Sequence, residues 1–163
     1  MISGTRLTVE LVPSTCWWSS VRTHVDPEVW ERLRRATVRA AGNRCEICGG
    51  RGRRHPVECH EVWEYHDTRL VQRLVRLIAL CPACHEVKHF GLAGTRGRRG
   101  AALSHLARVN GWSVADADAY IEAAFEQWAS RSRHEWTLEC TVLEVQGIHV
   151  EPRPPATRLE AEA

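Results

Sequence analysis

LCPACHEVKH, residues 80–89, packs two cysteines and two histidines into ten positions, and its reading decides the fold. Cys81 and Cys84 form a CxxC pair, a spacing whose turn aims two thiolates at one centre. A second pair, Cys45 and Cys48 in CEIC, lies upstream with 32 residues between them. Two such turns complete a tetrahedral four-sulfur site, the arrangement a closed structural zinc prefers. Gly49 and Gly50 follow the first pair and suit a tight knuckle. A redox role would need a thioredoxin-like strand-helix-strand setting, which the flanks lack. The segment between the pairs is too long for a simple zinc ribbon and must carry structure of its own.

The composition fits that picture. The chain has 163 residues, 44% hydrophobic and 26% charged, a balance that suits one compact domain with short additions. Seven cysteines is an odd number, and their grouping into CxxC pairs fits reduced, metal-binding thiolates better than a secreted disulfide framework. Without a signal-like N-terminus or an apolar run of membrane-spanning length, the expectation is a soluble cytoplasmic protein with no membrane partner. Seven tryptophans against two phenylalanines and two tyrosines imply that tryptophan fills much of the interior. Net charge is only +2, but arginine clusters in RGRRH (51–55) and TRGRRG (95–100), the two loops that flank the cysteine segment.

Outward from that segment, the pattern predicts an α+β chain. RLTVELV (6–12) has strand composition and stops at Pro13. Asp26, Pro27 and Glu28 make a helix start, with Gly42 and Asn43 as its stop; Val29, Trp30, Leu33, Val38 and Ala41 supply an apolar face. A helix is expected over 101–109, ending at Asn110-Gly111, and a longer one from Val114 to about Ser130 after the capping box of Ser113 and Asp116. Ala117, Tyr120, Ile121, Ala124, Phe125 and Trp128 give that helix a packing stripe. EWTLECTVLEV (135–145) alternates like a strand. The expected division is an N-terminal strand and helix (1–44), a zinc core (45–91), C-terminal helices and a strand packed on it (92–150), and a disordered Pro-rich tail (151–163).

Inside the core, HPVECHEVWEY (55–65) and LVRLIALC (74–81) read as strands, and the residues after Cys81 as a short helix ended by Gly91. His85 and His89 then lie one turn apart on one helix face, a spacing that can bind a second metal. The order knuckle, strand with His60, strand, knuckle, helix with two histidines resembles the HNH endonuclease family, whose ββα-metal core is commonly buttressed by a four-cysteine zinc. The resemblance covers about residues 45–89. More loosely, the stretch from VPSTCWWSSVR to RSRHEW looks like small bacterial HNH-type proteins.

That resemblance implies hydrolysis of phosphodiester bonds in DNA. His60 matches the general base that takes a proton from the attacking water, and His85 matches a ligand of a divalent ion, Mg²⁺, Mn²⁺, Ni²⁺ or Zn²⁺. His89 falls where some members place a further ligand, and Cys59 occupies the position of another. Arg51, Arg53, Arg54, Arg96, Arg98 and Arg99 are the expected contacts to a nucleic-acid backbone, without base-reading specificity. Two positions depart from the family. Cys59 replaces the usual Asp or His, and Arg76 stands where the middle asparagine is expected. Glu58, Glu61, His66, Asp67 and Gln72 lie near enough in sequence to compensate, alternation placing Glu61 with Cys59 and Glu58 with His60. The departures also support a second reading, a zinc-stabilised nucleic-acid-binding module without catalysis. A third is a protein-interaction adaptor whose helices and tryptophans form the partner surface.

Overall fold

The computed structural model describes residues 4–16, 20–52 and 56–150. The expected disordered tail, Trp17, Trp18, Arg53 and Arg54 lie outside the described residues. In chain order the elements are a 3₁₀ turn (Ser14–Cys16), α1 (Val21–His24), α2 (Pro27–Ala40), β1 (Glu58–His66), β2 (Val71–Leu80), α3 (Pro82–Lys88), α4 (Phe90–Thr95), α5 (Arg99–Asn110), α6 (Val114–Arg131), β3 (Thr137–Glu139) and α7 (Thr141–Glu144). This is an α+β architecture with a β1-β2-α3 unit at its centre.

β1 and β2 form an antiparallel hairpin, and β3 adds in parallel to β2 through Val71, Gln72 and Arg73. Val62 pairs with Arg76 and Trp63 with Leu74, so Val75 is an extra residue in β2 and the hairpin bulges there. The two sheet faces feed different clusters. On one, Ile78 and Leu80 join Leu7, Val87, Phe90 and Leu106 under α3 to α6. On the other, Leu74, Trp63 and Trp30 pack with Val21, Leu143 and Cys140. Trp30 and Trp63 are therefore partly buried and pack against this cluster. Leu7, Leu80 and Leu106 are fully buried, each contributing roughly 1.5–3 kcal/mol relative to exposure.

Several sequence expectations change here. Residues 6–12 join no sheet. Their backbone groups are satisfied by helix side chains instead: Asn110 Oδ1 accepts from the amides of Arg6 (2.8 Å) and Leu7 (3.0 Å), and its Nδ2 donates to Leu7 O at 2.8 Å. Tyr120 Oη accepts from the Val9 amide, and Trp128 Nε1 donates to Val12 O. A buried backbone must be paired, and three side chains from two helices, α5 and α6, do here what a neighbouring strand would do. The strand expected over 135–145 shrinks to three residues, because Cys140 and Leu143, both buried, recur at helical spacing and turn the chain into α7. Nor does Gly91 end the helix after Cys81. α3 stops at Lys88, His89 is the junction, and α4 runs through Gly91.

The long helices follow their signals. Pro27 opens α2, and Ser113 Oγ accepts from the Asp116 amide at the start of α6. Of the α6 stripe, Ala117 and Ile121 are buried while Phe125 stays exposed.

Asn110→Ala removes three hydrogen bonds at once. Each contributes about 1 kcal/mol net, so the variant should lose about 2–3 kcal/mol in urea unfolding, with faster hydrogen exchange at the Leu7 amide. A loss below about 0.5 kcal/mol would contradict this account of the N-terminal segment.

Candidate metal centre and histidine cluster

The first knuckle is a tight turn. The Cys45 amide donates to Gly50 O at 2.9 Å and the Gly49 amide to Cys45 O at 2.8 Å. Gly49 sits at φ +72°, a left-handed conformation that side chains disfavour, and a Cβ on Gly50 would come within 3.3 Å of Cys48 Sγ. The second knuckle leads into α3: Cys81 precedes its first turn, Pro82 opens it, and the His85 amide donates to Cys81 O.

The two turns bring Cys45, Cys48, Cys81 and Cys84 together, with all four sulfurs within 4.8 Å of one another. Cys48 and Cys81 are 3.6 Å apart, too far for a disulfide; all seven cysteines are free. Tetrahedral zinc at about 2.3 Å from each sulfur places neighbouring sulfurs about 3.8 Å apart, so the cluster can hold a structural zinc. Its electrostatics favour a cation. A hydrogen bond from Cys84 lowers the Cys45 thiol to about 4, whereas that same hydrogen bond, burial and the neighbouring negative charge drive Cys84 upward; burial raises Cys81. Four thiolates cannot coexist at this distance until a divalent ion offsets their repulsion.

Two supports of this cluster carry no signal in the sequence. His105, from α5, places Nε2 at 3.1 Å from Cys84 Sγ, and Arg108 Nη2 lies 2.6 Å from its Nδ1. Arginine only donates, so Nδ1 accepts and the Nε2 proton faces the sulfur. Glu46, inside the first knuckle, accepts from the Ala79 amide at 2.8 Å and from Arg76 at 2.7 Å. Arg76 therefore fastens the knuckle to β2.

One helical turn beyond the sulfurs lies a second cluster. His60 from β1 and His85 and His89 from the α3 end bring ring nitrogens within 4.8 Å of one another. Their rings meet edge-on: 5.2 Å between His60 and His85, 5.0 Å between His60 and His89, 4.6 Å between His85 and His89. Burial, then the neighbouring imidazoles, lowers both His85 and His89 to about 4, so each offers a neutral ring at pH 7. Two carboxylates brace the cluster from outside. Glu58 Oε2 is 2.6 Å from His85 Nδ1, and Glu10 Oε2 is 2.9 Å from His60 Nε2. Carboxylates on the outer nitrogens of histidines are the usual way metal-binding imidazoles are oriented. His60 is buried, while Glu58 and part of His85 reach solvent, leaving one side of the cluster open.

The remaining predicted positions are scattered. Cys59 is not with the histidines: strand alternation turns it to the opposite sheet face, where its thiol meets Thr37 of α2 and burial raises its pKa. Its expected role as a metal ligand is corrected accordingly. Asp67 pairs with Arg131, and Gln72 is buried in β2. Arg98 is tied to Glu86, and Arg99 pairs with Asp118 at 2.8 Å and stacks over Phe90. Arg51 and Arg96 are exposed. Among the described residues, no helix is long and apolar enough to cross a membrane. Compared with protein-family models, curated proteins and solved structures, the chain matches none.

Glu61 shares the Cys59 face and accepts from Trp63 Nε1 at 3.2 Å. Burial pushes its carboxyl from near 4.5 up to about 7. Between those values the folded state holds more protons than the unfolded one, so stability falls as pH rises through that window, by about 3 kcal/mol at most. Glu61→Gln keeps the acceptor and removes the charge. Its urea midpoint should exceed the parent's at pH 8 and vary less between about pH 5 and 7; equal midpoints across that range would refute the assignment.

Proposed function

We propose that the protein is a metal-dependent endonuclease of HNH type that hydrolyses phosphodiester bonds in DNA. The observation that carries this reading is the convergence of His60, His85 and His89 beside a four-cysteine cluster, on a β1-β2-α3 unit. In this reading His85 and His89 hold a divalent ion, which supplies charge neutralisation at the scissile phosphate and the leaving oxygen. Imidazoles suit Zn²⁺ or Ni²⁺ better than Mg²⁺, which prefers oxygen ligands. Glu58 fixes His85 through Nδ1 and leaves its other ring nitrogen for the ion. His60 takes the proton from the attacking water. Arg51 and Arg96, exposed residues of the two loops, are the candidate contacts to the phosphate backbone.

One observation favours a second reading, a nucleic-acid-binding module without catalysis. Arg76, at the position where the resemblance expects asparagine, is engaged by Glu46 rather than by His60. Such a chain would keep the zinc core and bind DNA with salt sensitivity but leave it intact.

Supercoiled plasmid nicking, with Mg²⁺, Mn²⁺, Ni²⁺ or Zn²⁺ added in turn, separates the two. The endonuclease reading expects nicking with a transition ion, reduced on the order of 10²-fold or more in His60→Ala and in His85→Ala. Binding without nicking in every ion would leave the second reading standing, and nicking unaffected by both substitutions would overturn the assignment of the site.

A further inference from the structure

The strongest unassigned feature is a buried charge relay that reaches His60 from the N-terminal segment. Lys88 is a lysine with a side chain only 5% exposed, and its Nζ lies 2.5 Å from Glu10 Oε1 and 2.7 Å from Thr8 Oγ1. The other Glu10 oxygen, Oε2, meets His60 Nε2 at 2.9 Å. The backbone closes the same contact, because the Glu10 amide donates to Lys88 O at 3.1 Å. A lysine is buried this deeply only with a partner, and a carboxylate at 2.5 Å from an ammonium is ionised.

Those facts fix the tautomer. Ionised Glu10 can only accept hydrogen bonds, so His60 must present Nε2–H to it, and Nδ1 is the ring nitrogen left to carry a lone pair. We infer that Glu10 is the positioning residue of His60: held by Lys88 and Thr8, it locks the imidazole as the Nε2–H tautomer and leaves Nδ1 as the basic nitrogen. The inference rests on the endonuclease reading for its chemical consequence, although the tautomer itself does not depend on that reading. When water attacks phosphorus, its O–H bond breaks, its oxygen forms the new P–O bond and its proton moves to Nδ1, while the scissile P–O bond breaks and the leaving oxygen departs with that electron pair and takes a proton from solvent water. The resulting imidazolium is balanced by Glu10. The logic is that of a base oriented by a carboxylate behind it, here supplied by a segment 50 residues upstream in the chain.

The test is nitrogen-15 NMR of the histidine rings in the zinc-loaded full chain, with His60 assigned by comparison with His60→Gln, together with kinetics of plasmid nicking. The parent should show Nε2–H at His60. In Glu10→Gln, which keeps the side-chain volume, Lys88 claims the amide oxygen and the NH₂ group faces the ring, so His60 should switch to Nδ1–H. kcat should fall on the order of 10²-fold with KM unchanged. The Glu10→Gln, Lys88→Met double variant buries no charge and frees the amide oxygen to accept from Nε2–H, so the tautomer should return; this variant also decides the matter if the single one does not fold. An Nδ1–H ring in the parent, an unchanged tautomer in Glu10→Gln, or no recovery in the double variant would overturn the assignment. So would loss of a second bound ion in Glu10→Gln to the extent seen in His85→Ala, since His60 would then be a ligand and not the base. If the parent nicks nothing, the endonuclease reading fails while the ring tautomers still decide the role of Glu10.

Discussion

Four sulfurs within 4.8 Å of one another set the constraint on which the rest of this structure depends. As thiols they pack as small apolar groups; as thiolates they repel, and only a cation at their centre lets all four ionise. Occupying that centre joins the loop after α2 to the β2-α3 junction, two parts of the chain separated by more than thirty residues. The link is reinforced by Glu46, which accepts from the β2 backbone and from Arg76, and by the His105 proton directed at Cys84. Closing so long a loop in the unfolded chain is costly in entropy, so metal binding free energy is also folding free energy here.

The histidine cluster inherits its geometry from that link. His85 follows Cys84 directly and His89 lies one turn later, so fixing the second knuckle fixes both rings. His60 is placed by the β1-β2 register, opposite Ile78. The third support is the N-terminal segment, which is held by side chains of α5 and α6 and delivers Glu10 and Thr8 to the buried Lys88. Three separate parts of the chain thus converge on three imidazoles, and one side of the cluster remains open to solvent through Glu58 and His85.

What the sequence made legible was local. The CxxC pairs, the i, i+4 histidines, the Pro27 start of α2, the Ser113 cap of α6 and the apolar runs of the hairpin each depend on a few adjacent residues, and each appears where its spacing places it. Alternation alone separates His60 from Cys59, and Glu58 from Glu61, so a strict strand reading would have removed Cys59 from the ligand set. The long-range features were hidden. No local pattern shows that Glu10 reaches His60, that Lys88 is buried, or that Asn110 replaces a strand partner for residues 6 and 7, because each pairing is settled by packing of distant segments. The 135–145 segment was ambiguous for a different reason: Cys140 and Leu143 satisfy a helical period as well as Leu138 and Cys140 satisfy a strand period. The arginine loops show the limit of composition, since Arg98 and Arg99 found acidic partners on neighbouring helices instead of remaining free.

The most direct measurement on the central claim is X-ray absorption at the zinc edge of the purified chain. In a chain carrying one equivalent of zinc, the account predicts a nearest shell of four sulfurs at about 2.3 Å, with no light-atom ligand in that shell. A shell dominated by nitrogen or oxygen, or one with fewer sulfurs, would mean that the cysteine cluster is not the organising metal centre and that the placement of the histidines needs another cause.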